Sequence, residues 1–304
     1  MFTLSVPSLE EIHSSMRPHD SEIEKAFSKK YLDCVPGMTK DKAGNRLLKL
    51  GDASAIYSCH VDTVHRLPGL QKTQVSKKIL SLAEKGPTCL GSDDGAGIYL
   101  MLRMIQVQVP GLYIFHRGEE CGGIGSIHIA RHADWITKYK AAIAFDRMGY
   151  TDIITHQGGH RTCSDTFAWS LAGQLSLGHE PSSGGLFTDT ANYEHLIPEC
   201  TNLSVGYHKA HSPEEFLDLD YLEELATILC TKFHPQDLEI ERDPLIPDSV
   251  ELDDWWVPGK KSRKSFSLED TIRENPAAIL EILQDYGVGE DEINQYVYDH
   301  KYLR

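Results

Sequence analysis

Five short segments of this chain carry the residue types that bind metals and move protons. They are His60-Val61-Asp62, Asp93-Asp94-Gly95-Ala96-Gly97, Glu119-Glu120, Phe145-Asp146 and a late His211-Ser212-Pro213. Several carboxylates crowded into a dry cleft repel one another and cannot all stay ionised. Two divalent cations would resolve that repulsion, and imidazole together with carboxylate suits zinc, or the related ions cobalt and manganese. A two-metal centre ~3.5–4 Å across needs one bridging carboxylate and about two terminal ligands per ion. The segments offer one bridging Asp, two His, one Glu and one Asp, and leave one Glu over as a base. Singly they mean little. A lone His-x-Asp is common, Asp-Asp-Gly is usually a turn, and Glu-Glu before Gly-Gly suits any helix N-terminus. Their order, spacing and strand context together carry the reading.

The elements that must position them follow from hydrophobic patterning. Residues 8–32 read as helix. Strands are expected at 45–50, 55–59, 111–116, 141–145 and 203–207. Residues 66–90 read as loop with a short hairpin. Helices are expected at 95–106, 122–131, 165–175 and 219–233. Each chemical segment then follows a strand. The alternation predicts an α/β fold in three layers, a mostly parallel twisted sheet with helices on both faces. Strand C-termini in such a sheet converge on one crevice. Near residue 235 the character changes. Pro235, Pro244, Pro247 and Pro258 punctuate a polar stretch, and Lys260 to Lys264 is basic. Helices are expected from Asn275-Pro276 to Gly287 and from Asp291 to His300. This gives a catalytic domain at 1–238 and a linker with a small helical C-terminal extension at 239–304.

Composition removes several classes of function. With 304 residues the chain is long enough for a substantial core, and its formal net charge of −15 argues against binding nucleic acid. No run approaches the ~18 apolar residues of a membrane span. The first residues lack the basic and apolar regions of a signal peptide. Seven scattered Cys without a CxxC fit reduced thiols, hence a cytoplasmic protein. Cys59 and Cys121 flank ligand segments, but a Cys beside a strand end is usually a small buried core residue. Ser164 and Ser212 lack a nucleophile elbow, and no phosphate loop or dinucleotide fingerprint is present.

Five ordered motifs, with the lead-in Lys42-Ala-Gly-Asn-Arg-Leu-Leu-Lys-Leu50, resemble the di-zinc exopeptidase clan over roughly residues 40 to 233. That clan includes leucyl-type aminopeptidases, tripeptidase T, glutamate carboxypeptidases and small-molecule deacylases. The resemblance implies that Asp93 bridges two metals, that His60 and Asp146 complete one, and that Glu120 and His211 complete the other. It implies Glu119 as general base and Asp62 as the residue orienting His60. Asp94 would place the Asp93 carboxylate, and Gly95 and Gly97 would let the chain turn into the helix.

Two departures narrow the expectation. Only 65 residues separate Asp146 from His211, too few for the lid domain that two-domain members insert there. The chain therefore resembles the single-domain aminopeptidase branch. No Tyr precedes Thr188-Asp189-Thr190-Ala191-Asn192-Tyr193, so the oxyanion role has no assignment beyond the guesses His156 and His160. The expected activity is hydrolysis of a small peptide by an aminopeptidase-type exopeptidase, with a homo-oligomer conceivable. The alternatives are an N-acyl amino acid deacylase or amidase and a non-catalytic metal-binding interaction protein.

Overall fold

The computed structural model describes residues 4–52, 54–84 and 89–246. Its centre is an eight-stranded sheet. In spatial order the strands are Glu180–Ser182, Asp152–Ile154, Glu199–Ser204, Ala141–Arg147, Ala55–His60, Gly111–His116, Arg46–Leu50 and Thr39–Lys40. The four central strands, from Glu199–Ser204 to Gly111–His116, run parallel. Arg46–Leu50 and Thr39–Lys40 continue one side antiparallel. On the other side Asp152–Ile154 crosses antiparallel to Glu199–Ser204 and pairs in parallel with Glu180–Ser182. The sheet is thus parallel at its core and mixed at its edges.

Burial on both faces explains why the central strands are apolar runs rather than alternating ones. Along Ala55–His60, Tyr57 and Cys59 enter a large core with helices α3 (Ser92–Gln106), α5 (Asp165–Leu175) and α6 (Leu219–Thr231). Ile56 faces the other way, into a smaller core with Leu112, Ile114, Ile129, Ala142 and Tyr193. Helix α4 (Ile124–His132) and the short 3-10 turn at Asp189–Tyr193 lie on this second face.

Three expectations need adjustment. The helix expected over 8–32 is two helices, α1 (Leu9–His13) and α2 (Glu22–Tyr31), separated by the strand Ser15–Met16. Ser8 caps the first and Ser21 restarts the second, so the chain bends where Pro18 interrupts helical bonding. The strand expected at 203–207 is instead Glu199–Ser204, and Tyr207–His208 belongs to a different sheet. Polar composition hid it, because Glu199, Thr201, Asn202 and Ser204 are all buried. Each is satisfied by a neighbour; Thr201 Oγ1, for example, donates to the Ile154 carbonyl at 2.7 Å. The short strands Asp152–Ile154 and Glu180–Ser182 were not expected, their three residues being too few to show a period. The expected hairpin within 66–90 is present as Thr73–Ser76 and Ile79–Leu82. Between Asp146 and His211 the chain completes the sheet and adds α5; no inserted domain occurs there among the described residues. The two helices expected at 275–287 and 291–300 lie outside the described residues.

Residues 239–246 remain tied to the unit. The backbone N–H groups of Glu241 and Arg242 each donate to Glu199 Oε1 at 2.9 Å. The same buried carboxylate accepts from Ser164 N at 2.7 Å and Ser164 Oγ at 2.9 Å, where Ser164 caps α5. A chain ending at Ile246 should therefore stay folded and retain its metal capacity. One ending at Leu238 should lose roughly 2–3 kcal/mol, because a buried charge loses two N–H donors. Urea unfolding of both truncations, with metal analysis, checks this; equal stability of the two would show that the Glu199 contacts contribute nothing.

Candidate metal centre

The crevice at the sheet's C-terminal end gathers the five segments through backbone scaffolding. His60 closes the Ala55–His60 strand, and its backbone N–H donates to Asp94 Oδ2 at 3.1 Å. Asp94 Oδ1 accepts from Gly97 N at 2.8 Å, so this fully buried carboxylate ties the strand end to α3. Position 97 must be glycine for that approach: a Cβ there would come 2.3 Å from Asp94 Oδ1 and 2.7 Å from the Phe145 carbonyl. Asp93 and Asp94 depart from helical φ/ψ, and the peptide between them is cis. Behind them Glu215 accepts from Gly91 N at 3.0 Å, Ser92 N at 2.7 Å and Asp93 N at 3.2 Å.

Asp93 thereby points its two oxygens in two directions. Oδ1 lies 2.9 Å from His60 Nε2, which is also 3.5 Å from Asp146 Oδ1. Oδ2 lies 3.0 Å from His211 Nε2, which is also 3.3 Å from Glu120 Oε1. Asp146 is held on its other side. Thr188 Oγ1 donates to its Oδ2 at 2.7 Å, and Asn202 Nδ2 and the Tyr207 hydroxyl donate to its carbonyl at 3.0 and 3.1 Å. The turn carrying Glu119 and Glu120 is clamped at both ends. Asn45 accepts from Arg117 N at 3.2 Å and donates to the Gly125 carbonyl at 3.0 Å. Asp62 Oδ1 accepts from Gly118 N at 2.8 Å and Glu119 N at 3.3 Å.

Electrostatics show what the donor set needs. Burial, then the charge of Asp93, pushes the Asp146 carboxyl up to about 6 and that of Glu120 up to about 7. Glu119 is raised well above the usual carboxylate range, by burial and then by Asp146 and Glu120 against the opposing effect of His60. Burial also pushes Asp93 up, but contact with His211 and His60 outweighs it and holds Asp93 below the usual range. Burial lowers His211, while Asp93 and Glu120 bring it up to about 12. Asp146 Oδ1 and Glu120 Oε1 are buried with no hydrogen-bond partner among the described residues. Orphaned carboxylate oxygens facing imidazole nitrogens are what cations of zinc type would satisfy. The donor set therefore fits a divalent cation of that type. His60, Asp93 and Glu120, and His60, Asp94 and Asp146, offer donor atoms within 4.8 Å of one another. Asp94 is the weaker member, since both of its oxygens already accept backbone N–H bonds.

The remaining expected residues fall as follows. Asp62 meets His60 through its backbone carbonyl. His60 Nδ1 lies 2.9 Å from the Asp62 carbonyl oxygen and 3.9 Å from its carboxylate, which holds the Glu119 turn instead. The Glu119 carboxylate lies within the electrostatic reach of His60, Asp146 and Glu120. His156 and His160 sit on a hairpin beside the sheet, His160 being exposed. Cys59 is buried in the core as expected, but Cys121 is exposed, because the turn after Glu120 leaves the strand's cover. Sequence reasoning gave no role to Glu215, Thr188, Asn202 or Asn45. Thr188, Asn45 and Glu215 lie in or directly beside segments that the sequence singles out, but polar residues that serve through hydrogen bonds leave no periodic signal.

No family model matches the chain, nor does any curated protein. Solved structures do superpose on it. A tripeptidase from Staphylococcus aureus matches with a TM-score of 0.59 at 16% identity, covering 74% of this chain and 96% of that one. The TET1 peptidase of Pyrococcus horikoshii, which can assemble into a tetrahedron or an octahedral shell, matches at 0.57 and 16%, covering 77% and 100%. The aminopeptidase PepT of Bacillus cereus matches at 0.55 and 15%, covering 73% and 95%. The chain has the α/β fold of these peptidases.

Two outcomes follow. Glu215→Ala should cost about 1–3 kcal/mol, since it strands three buried N–H groups. It should also weaken metal retention by freeing Asp93, as urea unfolding and metal analysis would reveal. Protons and dications compete for Asp146 and Glu120, so metal occupancy should fall as pH drops through about 7 and 6. Equilibrium dialysis at high and low pH measures this, and occupancy independent of pH would contradict the ligand assignment.

Proposed function

We propose that this chain is a co-catalytic two-metal hydrolase of amide bonds, an exopeptidase of aminopeptidase type. The observation that carries the reading is the division of Asp93, one oxygen toward His60 and Asp146 and the other toward His211 and Glu120. Those five residues would hold two dications, zinc by the chemistry of the donors. When bound, the pair supplies Lewis-acid polarisation of a carbonyl and lowers the pKa of water. Glu119 is the group left over. Its carboxylate takes a proton from the attacking water and delivers it to the leaving amine nitrogen, a relay suited to a carboxyl whose proton affinity is raised. Asp62 is a positioning residue, because it fixes the backbone N–H of Glu119.

The peptidase names of the superposing structures favour a small peptide over an N-acyl metabolite as substrate. A homo-oligomer belongs to the same reading, supported by the assemblies of the TET1 peptidase. Cytoplasmic placement is supported by seven cysteines that are all free. No helix among the described residues is long and apolar enough to cross a membrane.

The two adjacent glutamates separate the roles. Glu119→Gln should keep both ions and lower kcat by ~10²–10⁴-fold with little change in KM. Glu120→Gln should weaken one ion, since an amide is a poor ligand for such a dication. Asp93→Ala should lose both. The measurements are metal stoichiometry and kcat on a panel of aminoacyl amides, dipeptides and N-acyl amino acids. A single ion in fully loaded protein, or near-native kcat in Glu119→Gln, sinks the mechanism. Turnover of N-acyl amino acids alone moves the chain to the deacylases.

A further inference from the structure

Behind the turn that carries Glu119 and Glu120 lies a second group of metal-ligating side chains. Ligand atoms of His19, Asp62 and Cys121 lie within 4.8 Å of one another. Asp62 is fully buried, and its Oδ2 has no hydrogen-bond partner among the described residues. His19 Nδ1 is likewise buried and unpartnered. The His19 ring is seated on the backbone of Gly118, where an added Cβ would come 2.8 Å from Cε1 and 3.0 Å from Nδ1. Gly118 has φ +75°, so both its conformation and the ring's approach exclude a side chain there. Cys121 is exposed and gives the group its opening to solvent.

We propose that His19, Asp62 and Cys121 form a third metal-ion site, distinct from the Asp93 centre, that takes a dication of zinc type. Thiolate, imidazole and carboxylate are the ligands zinc accepts, and magnesium or calcium would refuse the sulfur. Three protein ligands leave a fourth position for water. Bonds of 2.0–2.3 Å imply ligand-to-ligand edges of about 3.3–3.8 Å, so the group closes by roughly 1 Å on binding. Side-chain rotation of the exposed Cys121 can supply that movement. An ion bound through Asp62 Oδ2 or His19 Nδ1 would satisfy an atom that the described residues leave without a partner. Arg17 and Arg117 are the nearby cations, but Asp62 forms an ion pair with neither, and Arg117 lies against Asp20 and Glu24. Occupation pins the turn through Asp62, whose other oxygen already holds Gly118 N and Glu119 N.

Cobalt(II) is the probe, because a thiolate ligand adds a near-ultraviolet charge-transfer band that nitrogen and oxygen ligands cannot give. None of the five ligands at the Asp93 centre is a Cys, so the band reports the third site whether or not the hydrolase reading holds. The full-length protein titrated with cobalt should take up a third equivalent with growth of this band. Cys121→Ser should abolish the band and one equivalent while keeping the other two, and His19→Ala should weaken the same equivalent. In the wild type, the third equivalent should slow alkylation of Cys121 by iodoacetamide roughly tenfold or more. Exposed Cys34 is the internal control and should be unaffected. No band at cobalt saturation, a band that survives Cys121→Ser, or an unchanged alkylation rate at Cys121 overturns the proposal.

Discussion

Asp93 holds its two carboxylate oxygens 2.9 and 3.0 Å from two different imidazoles, and the surrounding chain is arranged to keep that division. A side chain with one rotatable bond beyond χ1 can serve two sites only if its backbone does not move. Glu215 fixes that backbone from below, through three N–H groups in succession. Asp94 fixes it laterally, by joining the end of the His60 strand to the first turn of α3. Buried carboxylates are thus used twice over. One set faces the crevice and repels, and a second set behind it accepts backbone N–H bonds that hold the first in place.

Most of the supporting carboxylates are met by backbone donors, and two of the crevice oxygens are not. Glu199, Glu215 and Asp94 all find backbone N–H donors. Asp146 Oδ1 and Glu120 Oε1 find none among the described residues. A crevice that leaves the Asp146 and Glu120 oxygens bare, while Glu215 and Asp94 behind it are met by backbone donors, is suited to something positively charged.

The sequence revealed the residues that carry charge and the strands that carry them. His60, Asp146 and the Glu119 turn each end an apolar run, and apolar runs are what periodicity detects. It did not reveal the polar framework. Glu199–Ser204 reads as loop by composition, because Glu, Thr and Asn fit a strand only when side-chain partners elsewhere complete them. Glu215 stands 122 residues from Asp93, and nothing local marks the pairing. The division of labour at Asp62 was hidden for the same reason: its carbonyl meets His60 while its carboxylate reaches across to residues 118 and 119. Contacts made through backbone atoms are invisible to residue type.

The latch at Glu199 also bears on force. The segment leaving the described unit is fastened at Glu241 and Arg242 to the strand Glu199–Ser204. That same strand carries Asn202, whose amide holds the backbone of Asp146. Tension applied from the carboxyl-terminal side, by a tether, a surface attachment or a translocating motor, therefore first meets the Arg242 side-chain bonds to the Glu194 and Pro198 carbonyls and the two backbone N–H···O bonds to Glu199. The strand it then drags upon supports Asp146. Mechanical unravelling from that end should disturb the crevice before it disturbs the helices, so the crevice and that end share one line of load.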